Sequence, residues 1–127
     1  MSLQQIIVSG GFDDIRSRHL RFLEEAAKLG ELTVLLWPDE LLQKLAGNAP
    51  KFPLAERLYF LNAVRYMTRV VPLAPSCNPD SLPLGDGLLR ADVWVDGECR
   101  GNAARQAFCR QHGIALRAAD PERRILY

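Results

Sequence analysis

Hydrophobic positions in this chain fall into short unbroken runs, separated by stretches with helical spacing. Ile6-Ile7-Val8 is a continuous β-branched run closed by Gly10-Gly11, the pattern of a strand buried on both faces. Leu20, Leu23, Ala26 and Ala27 share one face of a helix, and Gly30 is the predicted C′ residue after Lys28. Leu32 to Trp37 repeats the strand signal until Pro38, and Glu40 to Ala46 reads as a short helix ended by Gly47-Asn48. Pro53 suits the first position of a helix running to about Tyr66, with Leu54, Leu58 and Leu61 on one stripe. Arg69 to Val71 is a third strand, and the proline- and glycine-rich stretch from Ala74 to Gly87 reads as a loop with at most one helical turn. Asp92 to Val95 is a fourth strand, turned by Gly97. Asn102 is positioned to cap a helix through Gln111, with His112 in the last turn and Gly113 ending it. Ile114 to Leu116 closes the series as a fifth strand.

Strands alternating with helices imply right-handed βαβ units. The expected architecture is α/β, a single Rossmann-like three-layer domain with a five-stranded parallel sheet flanked by helices. Its 127 residues suit one such domain. Met1-Ser2-Leu3 reads as an expression scar. With 48% hydrophobic and 24% charged residues the composition is that of a soluble globular protein. A formal net charge of +1 gives no global attraction to nucleic acid or to an anionic membrane, so an anion site has to come from local arrangement. Cys77, Cys99 and Cys109 form no metal-spaced or disulfide-like pattern and read as thiols in a reducing cytoplasm. No metal ligand set is expected from the spacing. The longest apolar runs fall far short of the ~20 residues of a membrane span.

In open parallel sheets ligands sit beyond the carboxyl ends of the strands, which directs attention to Gly10-Gly11-Phe12-Asp13. The glycines allow close backbone approach and positive φ, and Asp13 or Asp14 can cap the following helix. Arg16, Arg18, His19 and Arg21 then crowd the first turns of that helix, where cations oppose the macrodipole. A phosphate at the helix N-terminus would meet that need. A solvated basic face balanced by Asp13, Asp14, Glu24 and Glu25 is the competing account. Neither a Gly-x-Gly-x-x-Gly fingerprint nor a P-loop is present.

From Gly10-Gly11-Phe12-Asp13 through His19-Leu20-Arg21-Phe22-Leu23-Glu24-Glu25-Ala26, the chain resembles the opening of the cytidylyltransferase-like nucleotidyltransferases, which read Gly-x-Phe-Asp-x-x-His-x-Gly-His. Asp39-Glu40, Glu56-Arg57, Val70-Val71 and the stretch from Asp92 to Glu98 resemble later landmarks of that family, in order. The resemblance implies nucleotidyl transfer from CTP or ATP to a phosphorylated alcohol or sugar, with release of pyrophosphate and with magnesium if active. Homodimers are common in the family. It also implies a catalytic role for His19 and Arg16. Gly10, Gly11, Phe12, Asp13, Arg18, Gly97 and Glu98 would line the nucleotide, and Asp39, Lys44, Lys51 and Arg57 would serve the phosphates.

The motif is altered at its centre. Arg16 stands at the first His position and Arg18 at the Gly, so only the second His is kept, as His19. The family's late Ser/Thr motif has no counterpart in the stretch from Ala118 to Arg124, where Arg123 and Arg124 could substitute in charge only. Two function classes follow: a nucleotidyltransferase working with an altered site, and a non-catalytic module of the same fold that binds a nucleotide or other anion, or another protein.

Overall fold

The computed structural model describes residues 3–84, 90–96 and 103–118. Its elements run β1 (Gln5–Gly10), α1 (Ser17–Ala27), β2 (Glu31–Leu36), α2 (Asp39–Ala46), α3 (Leu54–Asn62), β3 (Arg69–Pro72), β4 (Val93–Asp96), α4 (Ala103–His112) and β5 (Ala115–Ala118). The strands form a five-stranded sheet in the order β3-β2-β1-β4-β5, and every neighbouring pair is parallel. Period-two alternation divides the core between the two faces. Ile6, Val8, Leu32, Val34, Leu36, Val93 and Val95 pack with Leu23 and Ala26 of α1 and Leu61 of α3. On the other face Ile7, Leu35 and Trp94 pack with Cys109 of α4, Ile114 and Leu82. The result is the Rossmann-like α/β architecture expected from the pattern.

The chain leaves β1 toward β2 and β3 on one side, then returns to lay β4 and β5 on the other. Strand order therefore reverses between β1 and β4, and the crevice outside their carboxyl ends is the natural ligand position. The turn after β1 lies there. Gly97 and Glu98, which follow β4, fall outside the described residues, as do the predicted cap Asn102, Cys99, and Arg123 and Arg124.

Several local expectations are corrected. Leu20 is exposed, whereas Leu23 and Ala26 are buried; Phe12 and Ile15, just before α1, pack against the core in place of the first turn. α3 stops at Asn62 instead of near Tyr66, because the chain must turn back to start β3, and the Thr68 N–H already donates to the Leu32 carbonyl at 2.7 Å. Gly30 is not a left-handed C′ residue: a Cβ there would collide with the main-chain carbonyl oxygen of Gln4, so the glycine lets the entry to β2 pass close to β1. Gly47 (φ 81°) and Gly113 (φ 68°) do take the left-handed conformation, after α2 and α4.

Residues 73–84 contain no helix, yet Leu73, Leu82 and Leu84 cover part of the second face. Arg105 of α4 fastens this segment. Its Nη2 donates to the Pro79 carbonyl at 3.0 Å, its Nη1 lies 3.1 Å from Asp96 Oδ1, and its guanidinium sits over the Trp94 ring at 4.7 Å. Trp94 is wholly buried and directs its indole N–H to Ser9 Oγ, so it is a core aromatic. Trp37 is only half-buried. Burial pushes the Cys77 and Cys109 thiols up, which suits inert side chains.

Candidate functional site

The turn between β1 and α1 bends sharply, but not at its glycines. Phe12 (φ 49°) and Asp14 (φ 64°) adopt the left-handed conformation, while Gly10 and Gly11 do not. The glycines serve close packing instead. A Cβ on Gly10 would press on the Phe12 ring at 3.2 Å, and one on Gly11 would meet Leu42 of α2. Neither aspartate caps α1. The N-cap position is Arg16, in extended conformation (φ −119°, ψ 171°), and its main-chain N–H donates to Nδ1 of His19 at 2.8 Å.

That bond defines the state of His19. A ring nitrogen that accepts a hydrogen bond carries no proton, so the neutral imidazole holds its hydrogen on Nε2 and keeps it as a donor. The Phe12 ring meets the imidazole edge-on, with centroids 6.5 Å apart. Burial, reinforced by the charge of Arg18, pushes the His19 pKa below its ordinary value. Held on two sides, the ring is a neutral donor at the start of a helix.

Asp13 has a different task from the one expected. Its Oδ2 accepts from the Lys51 main-chain N–H at 2.6 Å and its Oδ1 from the Phe52 N–H at 2.8 Å. These N–H groups lie between α2 and α3 and have no strand or helix partner, so the carboxylate supplies what the backbone lacks. Lys51 is thereby fixed beside the turn, with Nζ 3.3 Å from Asp14 Oδ2; Arg16 Nη2 reaches the same oxygen at 2.8 Å. Arg16 first and Lys51 second lower the Asp14 pKa, and Asp14 raises that of Arg16 in turn.

Arg57 lies at 0% exposure and faces inward. Its Nε donates to the Phe52 carbonyl at 2.9 Å, and its Nη1 to the Gly11 carbonyl at 2.8 Å and the Trp37 carbonyl at 2.7 Å. Its Nη2 pairs with Asp39 at the start of α2. The guanidinium expected to meet a phosphate is thus spent on three main-chain carbonyls and a carboxylate, and Asp39 is spent on Arg57. Both brace the loops around the site from beneath. Lys44 is exposed in the last turn of α2, where it complements the helix's carboxyl end.

The structure therefore brings together Asp13, Asp14, Arg16, Arg18, His19 and Lys51. Arg18 is exposed in the first turn of α1 and close enough to influence His19. An open depression of about 280 Å³, lined by Leu42, Leu45, Ala46, Asn48, Ala49 and Pro50, adjoins Asp13. Among the described residues no three His, Cys, Asp or Glu side chains converge to hold a metal ion, and no helix there is long and apolar enough to cross a membrane. The bracing role of Arg105 was not visible in the sequence. That of Asp13 had a signal: Lys51 and Phe52 lie between Pro50 and Pro53, in a segment that needs outside acceptors for its N–H groups.

The parallel sheet, the reversal of strand order beside β1 and the charged turn at its carboxyl end define a Rossmann-like α/β domain whose first turn gathers cationic side chains. The FAD synthase of Pyrococcus horikoshii is 35% identical over 91 residues, 64% of this chain and 62% of that protein. The FAD synthase of Pyrococcus abyssi is 34% identical over the same length, and the bifunctional protein HldE of Hydrogenovibrio crunogenus is 38% identical over 69 residues, 14% of its length. These similarities are consistent with the cytidylyltransferase-like nucleotidyltransferase family. The match spans less than two thirds of the FAD synthases. A lipopolysaccharide core biosynthesis protein from Thermoplasma volcanium superposes with a TM-score of 0.70 over 92% of this chain and 94% of its own, at 22% identity, and so shares the fold. No protein-family profile matches the sequence.

Proposed function

We propose that the β1–α1 turn binds the phosphates of a nucleoside triphosphate, CTP or ATP, and that the chain transfers the nucleotidyl group to a phosphorylated acceptor. In that reaction an oxygen of the acceptor phosphate attacks the α-phosphorus, a new P–O bond forms, and the bond to pyrophosphate breaks. Negative charge builds on the phosphoryl oxygens and on the leaving pyrophosphate. Donors placed in advance stabilise it without reorganising. The observation that carries this reading is the arrangement at the helix start: a neutral His19 with its donor nitrogen fixed, beside the cations Arg16, Arg18 and Lys51.

His19 donates from Nε2 to an α- or β-phosphate oxygen, and Arg16 supplies a permanent charge in place of a titrating one. Arg18 and Lys51 reach the outer phosphates. Asp13 and Arg57 position the turn and the Lys51 segment. The described residues do not fit a magnesium cage: Asp13 is committed to two main-chain N–H groups and Asp14 to two cations. The chain's own contribution is therefore its N–H groups and its cations. The names of its relatives put a flavin phosphate and sugar phosphates first among acceptors to test. A homodimer in the cytoplasm completes the proposal, the dimer read by sedimentation.

A second reading is favoured by the arginines at positions 16 and 18, where the family's motif has His and Gly: a module that holds a nucleotide without turnover. Incubation with CTP or ATP, magnesium and a panel of phosphorylated acceptors, read as pyrophosphate release, separates the two. Release that disappears in His19→Ala supports transfer. Silence across the panel, with a raised melting temperature in triphosphate, supports the binding module. Silence with no thermal shift defeats both.

A further inference from the structure

Among its cations the turn carries an anion of its own. Asp14 adopts φ 64°, a left-handed conformation that aspartate and asparagine enter more readily than other residues with a side chain. In this turn its carboxylate reaches the cluster, where Oδ2 lies 2.8 Å from Arg16 Nη2 and 3.3 Å from Lys51 Nζ. The needs of the neighbouring backbone are met by other side chains. Asp13 satisfies the neighbouring main chain, and the helix start is closed by the bond from Arg16 to His19. An oxygen held between a guanidinium and an ammonium reproduces the setting of a bound phosphate oxygen.

We propose that Asp14 is an internal counter-ion standing where a phosphate oxygen binds, and that a ligand enters the site by displacing it. The inference rests on the nucleotide reading of this turn and specifies the class of ligand. Displacement gives up two charge-assisted contacts, so an entering group has to return more than two. A single phosphate regains little beyond what it replaces. Pyrophosphate, or the β- and γ-phosphates of a nucleoside triphosphate, places several anionic oxygens against Arg16 and Lys51 and extends to Arg18, which is exposed at the same helix start. Displacing Asp14 costs every ligand the same, and only a polyphosphate makes enough further contacts to outweigh that cost clearly.

The test is calorimetric titration, without divalent ions, of wild-type protein, Asp14→Asn and Asp14→Gly with inorganic phosphate, pyrophosphate and ATP. Asparagine keeps the size of the side chain and tolerates the left-handed backbone. Glycine relieves the conformation altogether, so one variant remains informative if the other folds poorly. Removing the competitor is expected to tighten inorganic phosphate and pyrophosphate alike, each about fivefold, the scale of an exposed ion pair. Wild-type protein that binds phosphate as tightly as pyrophosphate overturns the inference. So do variants that bind phosphate no tighter than wild type while wild type binds pyrophosphate; in that case the nucleotide reading survives. If no form of the protein binds pyrophosphate or ATP, both fall together.

Discussion

The guanidinium of Arg57 donates to the Gly11 carbonyl at 2.8 Å, across 46 positions of chain. The same group holds the carbonyls of Trp37 and Phe52, so the floor of the candidate site is one side chain. Replacing Arg57 with Ala would leave three main-chain acceptors facing a cavity. Urea unfolding is expected to show a loss of about 3 kcal/mol or more, or failure to accumulate folded protein. Arg57→Lys should recover little, because an ammonium on a single stem cannot serve acceptors arranged around a planar fork.

Asp13→Ala removes the acceptor for two main-chain N–H groups. A stability loss of about 1–2 kcal/mol is expected. The more specific signature is hydrogen exchange: the Lys51 and Phe52 amides should lose protection well before those of β1 and β2. Equal loosening across the sheet would show that the carboxylate acts on the fold as a whole.

The state of His19 makes stability depend on pH. Its folded pKa lies below the ordinary 6.5, so as pH falls through 6.5 the unfolded chain takes up a proton before the folded one does. The contribution is complete above 6.5 and is lost as pH drops through the lowered folded value. His19→Gln, which keeps an acceptor for the Arg16 N–H, should flatten the difference in unfolding free energy between about pH 7.5 and about pH 5. Asp14 acts in a separate window. Its depressed pKa gives stability above the ordinary 3.8 that disappears as pH falls through the folded value.

Two glycines should respond differently to alanine. At Gly113 the φ of 68° is strained for any side chain but the space is open, and a cost of about 1–2 kcal/mol is expected. At Gly30 the new methyl would strike the Gln4 carbonyl oxygen, which is main chain and cannot rotate away. A loss of more than about 2 kcal/mol is expected, since β1 or β2 must shift. Thermal melts of the two variants under one condition rank them.

The sheet was legible because its signal is local. Ile6-Ile7-Val8 and Leu32 to Trp37 are apolar runs that only buried strands explain, and Gly47 and Gly113 end helices in the conformation predicted for a residue without a side chain. The position of the site was legible for the same reason, since the first turn follows the first strand. Roles within it were not. Arg57 has the chemistry of a phosphate ligand, and nothing in its neighbours along the chain says that the Gly11 and Trp37 carbonyls consume it; for Asp13 the flanking prolines show that Lys51 and Phe52 need an acceptor but not which one. Which partner a charged side chain meets is decided by tertiary packing. Positive φ at Phe12 and Asp14, next to glycines that do not use it, was hidden by the same logic.

The central position of β1 has a consequence for how the chain reaches this state. One edge of β1 is satisfied early, by β2, but the other waits for β4, whose preceding residue Asp92 also binds the Gln5 N–H across 87 positions. Until that late segment arrives, the Ile6-Ile7-Val8 run offers a bare, sticky ladder to any neighbouring chain. Maturation is therefore paced by the arrival of β4, and crowding or truncation ahead of residue 93 should convert yield into aggregate.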